Sequence, residues 1–412
     1  MRVPVWIISI SSILAMLARP RKIGEAWWVC AGAILLVATQ LISPMQAAHA
    51  VREGLDVYLF LTGMMILAEL AREEGVFDWA ASIAACHARG SSRRLFFLIY
   101  CVGIVVTALL SNDATAVVLT PAVLAAVRHL QVRPRPYLLA CAFIANAASF
   151  VFPISNPANL VVFGREIPPL LGWLAVFLLP SIASIAATFC ALYWCERREL
   201  GERIDAVPER ASLTTEGKLA LAGLLVAAAE LIGASAFGLS LGAPTCGAAM
   251  LALAVVWSRN RRIVASVVTG VSWSVLPLVA GLFVIVEALQ GSGLLRASLT
   301  GLTALAHWPA LQAKGAASFA VAIASNGMNN LPVGLIGGAA LRQAHHPALL
   351  THAVLIGVDL GPNLSVTGSL ATILWLIALR REKVEITGWE FLRVGLVAMP
   401  LALLASLLLL LS

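Results

Sequence analysis

The chain has 412 residues, 60% hydrophobic and only 12% charged, with a formal net charge of +7. Soluble domains carry about a quarter charged residues and about half apolar ones, so this balance excludes a water-soluble fold and indicates an all-α polytopic membrane protein. The Lys and Arg residues are scattered between apolar runs, which excludes a nucleic-acid partner and matches the basic bias of cytoplasmic loops.

The first apolar run, 3–18, is followed by "ARPRK" rather than by a small-residue cleavage site. It is therefore expected to stay as a membrane span and not to leave as a signal peptide. Further runs at 26–43 and 55–70 suit a hydrocarbon core about 30 Å thick. Segment 95–128 is apolar except at its centre, where "SNDATAVVLTP" places Ser111, Asn112 and Asp113 side by side. Segment 136–163 is interrupted by "NAASFVFPISNPANL", with Pro153, Asn156, Pro157 and Asn159 as breakers, and 170–195 is again uniformly apolar. Residues 196–218 are a polar linker.

The second half repeats this order. Apolar runs at 219–235, 241–257 and 273–289 precede 313–341, whose centre "IASNGMNNLPVG" holds Ser325, Asn326, Asn329 and Asn330. Segment 348–379 is interrupted by "GVDLGPNLSVTGS", with Asp359, Asn363, Ser365 and Thr367, and 390–411 closes the chain. The pairs Ser111-Asn112 and Ser325-Asn326 lie 214 positions apart, and a shift of about that size superposes the apolar runs. Gly63, Glu69 and Gly75 share the spacing of Gly281, Glu287 and Gly293. These features predict a duplication, with residues 1–195 and 219–412 as the two repeats.

Basic residues decide whether the two polar-centred segments cross the membrane. If both are re-entrant hairpins, only Arg2, Arg52, Arg165, Arg296, Lys314 and Arg342 face one side, and the remaining 22 of the 28 Lys and Arg face the other. Twelve full passes would divide them evenly. Cytoplasmic loops are basic, so the expected architecture is an inverted repeat of two five-helix halves. It has about ten transmembrane passes plus two hairpins (95–128 and 313–341), broken helices at 136–163 and 348–379, and a cytoplasmic linker. His345 and His346 fall in an exterior loop. Non-helical backbone at membrane depth persists only where it is buried in protein or lines a cavity. Inverted-repeat transporters use such breaks to hold substrate near the midplane, so the four breaks are expected to converge.

At "SNDATAVVLTP", "ISNPANLVV", "NGMNNLP" and "GVDLGPNLSVTGSLATILWL" the sequence resembles the arsenite/antimonite efflux permease family of the ion-transporter superfamily, over essentially the whole chain. The resemblance implies a multi-pass protein of the bacterial inner membrane that exchanges trivalent arsenic and antimony hydroxides for protons. It also implies that a separate cytosolic ATPase subunit serves some members; this chain has no GxxxxGK[ST] loop of its own. The family's motif positions fall on Asn112, Asp113, Asn329, Asn330, Asp359 and Asn363.

The chemistry of the residues agrees. Near neutral pH arsenite is an uncharged trihydroxide, so its site needs neutral donors and acceptors at fixed positions. The expected substrate ligands are Ser111, Asn112, Asn156, Ser325, Asn326, Asn329, Asn330, Asn363 and Thr367. Thiolates would hold trivalent arsenic too tightly, and the breaks contain no cysteine. Asp113 and Asp359 are the acids at membrane depth and the expected proton carriers. Capping of the hairpin helix remains a second role for Asp113 and Asn112, and backbone bonding one for Asp359. No cofactor, metal or catalytic residue is expected. A carboxylate importer of the same fold would want basic residues in the breaks, and a membrane-embedded enzyme would need a catalytic set such as HExxH.

Overall fold

The computed structural model describes residues 2–18, 20, 23–164, 166–201, 203–204, 211–344 and 348–410. Arg19, Arg21, Lys22, Arg165 and Arg210 of the charge count, and His345 and His346, lie outside them. The first half contains α1 (Arg2–Ala18), α2 (Glu25–Ala38), α3 (Pro44–Glu53), α4 (Leu55–Glu73) and α5 (Val76–His87). It continues through α6 (Ser92–Leu109), α7 (Asn112–Ala114), a π-helical turn at Thr115–Leu119, α8 (Thr120–His129), α9 (Arg135–Ala147), α10 (Pro157–Phe163) and α11 (Leu170–Glu196). The second half begins with α12 (Thr215–Ala236), α13 (Gly242–Trp257), α14 (Ile263–Gly270), α15 (Val275–Gly291) and α16 (Leu294–Ala306). It ends with α17 (Ala310–Met328), α18 (Asn330–Ala344), α19 (Ala348–Leu360), α20 (Leu370–Arg381) and α21 (Gly388–Leu409). Among the described residues there is no strand, only an isolated bridge between Ser91 and Arg203.

Among the described residues, five helical spans are long and apolar enough to cross a membrane, with α14 and α15 taken together as Ile263–Gly291, or six if α3 and α4, bent by 48°, count as one span. The expected span at 55–70 is thus the straight part of a longer bent element. Pro44 in the first turn and the Ser43–Gln46 capping box start α3. The short helices α5 and α16 were not expected as separate elements.

Two packing groups share the interior. α1, α2, α4, α12, α13 and α15 form one, in which α4 crosses α13 at Gly63. A Cβ there would lie 2.6 Å from the Thr245 carbonyl carbon, so only glycine permits the approach. The other group is built on α11 and α21, which run along each other. With 27 and 22 residues they reach about 40 and 33 Å at 1.5 Å per residue, enough to span the bilayer core.

Hydrogen bonds sort the ends of this second group onto two faces. On one face Tyr137 Oη donates to the Ser92 carbonyl at 3.2 Å, and Arg135 reaches Glu196 at 3.3 Å and Glu199 at 3.2 Å. On that face Arg128 also pairs with Glu382 at 3.1 Å. The starts of α6 and α9 and the ends of α8, α11 and α20 therefore gather together. On the other face Arg342 Nη1 donates to the Val162 carbonyl at 2.8 Å, and Lys314 Nζ to the Leu410 carbonyl at 2.9 Å. His352 packs there against Phe163 and Phe177. The starts of α17 and α19 and the ends of α10, α18 and α21 gather here. Residues 92–129 thus leave and return to one face, and residues 310–344 leave and return to the other. α9–α10 and α19–α20 pass between the faces.

Candidate functional site

The first hairpin reverses at Ser111, whose extended backbone lets its Oγ accept from the Ala114 amide at 3.2 Å. Asn112 Oδ1 accepts from the Asp113 amide at 2.9 Å. The π-helical turn follows immediately, a feature frequent at functional sites. Thr107 and Thr115 close the two arms through their hydroxyls at 2.8 Å. Asp113 projects from this tip into a cavity of about 60 Å³ between the two packing groups. Its walls include Met64 and Glu69 of α4, Ser111 and Asp113 of the tip, Pro157 of α10 and Ser272 of the α14–α15 break. At about 15 Å³ for each water, the space suits a solute of roughly four non-hydrogen atoms. Glu69 is held in place by Arg72, which bonds it at 3.0 and 2.6 Å and also pairs with Glu73.

Behind Pro157 the cavity wall becomes a polar core. Asn156 caps α10 by accepting from the Ala158 amide at 3.0 Å, and its Nδ2 donates to Asp359 Oδ1 at 2.7 Å. Asp359 is fully buried near Ser149, and its Oδ2 has no hydrogen-bond partner among the described residues. Asn363 accepts from Asn146 at 3.0 Å and donates to the Phe143 carbonyl at 3.1 Å. These bonds tie the break of α9–α10 to that of α19–α20. Ser155 Oγ donates to the Ala108 carbonyl at 3.0 Å, fixing the first break to the first hairpin.

The second hairpin docks on the second break. Asn326 Nδ2 donates to the Gly361 carbonyl at 2.9 Å and to the Ala322 carbonyl at 2.7 Å, and its Oδ1 accepts from Ser365 at 2.6 Å. Thr367 Oγ1 donates to the Asn326 carbonyl at 2.9 Å, and the Asn330 amide to the Gly368 carbonyl at 2.8 Å. Gly361 allows this contact, since a Cβ would stand 2.7 Å from Ala322 Cα. The sequence suggested a turn across 325–330, but α17 continues to Met328 and the chain reverses at Asn329 alone. Ser325 is helical and bonds back to the Val321 carbonyl at 2.9 Å. Asn329 sits at φ 75° and ψ 151°, a region essentially reserved for glycine. Its Oδ1 accepts from the Leu331 amide at 3.3 Å.

The four breaks therefore meet, but the eleven expected residues divide by task. Ser111 and Asp113 line the cavity, with Asn112 buried between them. Asn329 and Asn330 form the opposite tip. Asn156, Asn326, Asp359, Asn363 and Thr367 use their polar atoms to hold one break against another, and Ser325 bonds within its own helix. Sequence reasoning missed Asn146, Ser155, Ser369 and Thr372. Ser369 Oγ caps α20, accepting from the Thr372 amide at 3.1 Å, and lies 2.7 Å from the Thr372 hydroxyl. An isolated polar residue inside an apolar run, such as Asn146 in "FIANAASF", was the available signal.

Broken helices, two hairpin tips and a buried polar junction with a small cavity define a membrane transporter, built as a multi-pass protein of the bacterial inner membrane. A model of the family described as citrate transporter matches residues 6–381, and the chain belongs to that family. It is similar to the arsenical pump membrane protein of Escherichia coli (strain K12), at 28% identity over 416 residues, covering 95% of this chain and 94% of that one. The arsenical pump membrane protein of Yersinia enterocolitica is 29% identical over 346 residues, 81% of each. Among solved structures, the Alcanivorax borkumensis YdaH transporter shares the fold with a TM-score of 0.59 at 14% identity, covering 97% of both chains.

Proposed function

We propose that this protein exports trivalent arsenic and antimony hydroxides from the cytoplasm in exchange for protons, working as two inverted halves, 1–195 and 219–412, joined by a cytoplasmic linker at 196–218. The observation that carries the reading is the chemistry of the junction. Segments 110–115, 146–157, 325–330 and 359–369 hold Asn, Ser, Thr and two aspartates, with no Lys, Arg, His or Cys. A cavity of about 60 Å³ beside Ser111 and Asp113 suits one arsenic with three hydroxyls. Neutral hydroxyls exchange hydrogen bonds with such groups at little desolvation cost, whereas a charged solute would need a counter-charge.

Asp113 and Asp359 carry the coupling proton in this reading. A neutral solute can only equilibrate unless its movement is tied to an ion. One proton entering across 100 mV releases about 2.3 kcal/mol, which supports a gradient of about 50-fold. Each pH unit adds about tenfold. The gradient suffices as the energy source, with or without an ATPase subunit. The bond between Asn156 and Asp359 supports a link from the junction to the cavity, because Pro157 beside Asn156 lines it.

Carboxylate transport is the second reading, favoured by the family's description. The small cavity and the absence of basic residues in the breaks speak against it. Uptake into everted vesicles separates the two. Arsenite should accumulate under an imposed pH gradient and be displaced by antimonite but not by citrate. Citrate accumulation without arsenite movement would overturn the proposal.

A further inference from the structure

We infer that Glu69 is the acid through which the coupling proton leaves Asp113 for the cytoplasm, an assignment that rests on the proton exchange proposed above. The two acids line the same cavity, and among its described walls they are the only ionisable side chains. They come from different packing groups, Glu69 from α4 and Asp113 from the tip of the first hairpin. Ser111 and Ser272 are the other polar side chains of the wall, and the rest is apolar. Acids and bases pass protons directly or through one water. A cavity of about 60 Å³ has room for that water between them.

The seat of Glu69 connects this cavity to solvent. Glu69 lies one turn before the end of α4, about 6 Å along the axis from Glu73. Its carboxylate is buried, whereas Arg72, which bonds both its oxygens, is half-exposed. Arg72 also pairs with Glu73, so the guanidinium keeps a counter-charge when Glu69 is neutral. Where α14 ends, the carboxylate rests on Gly270, and an alanine Cβ there would overlap Glu69 Oε1. The end of α4 belongs to the basic face. Asn260, between α13 and α14, donates to Glu74 at 3.2 Å, and a Cβ on Gly217 of α12 would lie 2.8 Å from the Glu74 carbonyl oxygen. The linker leading to that start of α12 bonds Ser82 of α5 and the Gly90 carbonyl, next to the start of α6. The charges that face Glu69 are Arg72 and Glu73 on its own helix, Asp78 of α5 beside Arg72, and Asp113 across the cavity. The start of α12 adds Glu216 and Lys218 beside Glu74, past the helix end, and α10, α13 and α14, packed on α4, carry no charged side chain. In the step itself the Asp113 carboxyl gives its O–H proton to the Glu69 carboxylate, leaving Asp113 ionised and Glu69 neutral. Glu69 then gives that proton to cytoplasmic water and regains its charge beside Arg72.

The test compares two rates in proteoliposomes: net arsenite accumulation under an imposed pH gradient, and arsenite exchange between equal pools at equal pH. Only the first requires proton release. Glu69→Gln should keep exchange and slow net accumulation on the order of tenfold, yet reach the wild-type plateau, because Asp113 still carries the proton. Gly270→Ala displaces only the far end of one flexible side chain and retains every charge, and it should slow net accumulation in the same way. Glu73→Gln, which shares Arg72 but does not line the cavity, should leave the ratio of the two rates unchanged. A wild-type net rate in Glu69→Gln, or in Gly270→Ala should the first variant not fold, would overturn the inference while wild-type accumulation upholds proton exchange. Equal slowing by Glu73→Gln would reduce Glu69 to a partner of Arg72, and a lost plateau in Glu69→Gln would make it the carrier itself; either overturns the inference. Absence of accumulation by wild type would instead remove the reading on which it rests.

Discussion

Replacing Asn326 by alanine separates holding the site together from binding substrate. The side chain makes three hydrogen bonds, at 2.7 Å to Ala322, 2.9 Å to Gly361 and 2.6 Å from Ser365, and Thr367 bonds its backbone. Intramolecular hydrogen bonds contribute about 0.5–1.5 kcal/mol each, and those between membrane helices average about 0.6. Three of them, with the Ser365 hydroxyl and Gly361 carbonyl left with fewer partners, should lower stability by about 2–3 kcal/mol. Thermal unfolding in detergent should show Asn326→Ala melting several degrees below wild type. Antimonite affinity, measured well below that transition, should change less than threefold. Unchanged stability together with affinity lost by tenfold or more would refute the reasoning and make Asn326 a direct ligand.

The backbone of Asn329 gives a second test: Asn329→Gly should keep or raise stability by relieving about 1 kcal/mol of strain, whereas Asn329→Ala should lower it, as compared by melting temperature. If the asparagine side chain contacts substrate, both variants should weaken arsenite binding alike. Topology predicts that cysteines placed at 91 and 131 in a cysteine-free background are both protected from an impermeant reagent outside intact cells, and labelling of one but not the other is incompatible with the first hairpin. Ser111→Ala removes a cap and a cavity hydroxyl, so it should cost about 1 kcal/mol of stability and weaken arsenite affinity several-fold in a direct binding assay.

Much of this fold was legible because apolar runs and helix breakers are local signals. Pro153, Pro157 and Pro362 mark the broken helices near where the structure interrupts them, and Ser111-Asn112 marks the first reversal, whereas the second falls at Asn329, past Ser325-Asn326. The glycine echo has physical grounds as well. Gly75 and Gly293 both take positive φ, at 73° and 107°, ahead of α5 and α16, while Gly63 and Gly281 both sit at close helix crossings. What was not legible depends on partners distant in sequence. Asn146 meets Asn363 across 217 positions, and nothing in either neighbourhood announces the pair. The same holds for Asn326, whose polar neighbours suggested a turn although α17 continues past it to Met328. An amide in an apolar segment signals that a partner exists, but only the packed chain tells a protein carbonyl from a substrate.

Proton-coupled export stands or falls on Asp113 and Asp359, the acids of the junction. Asp→Asn retains the shape of the protonated carboxyl and removes the transferable proton. The direct measurement is arsenite movement into proteoliposomes under an imposed pH gradient, comparing wild type, Asp113→Asn and Asp359→Asn. Wild type should accumulate arsenite above the external concentration, by about tenfold for each pH unit if one proton is exchanged. At least one single variant should still exchange arsenite between equal pools while failing to accumulate it. Full gradient-driven accumulation by both variants would contradict the account and move the proton to another acid, with Glu69 at the cavity wall next to be tested.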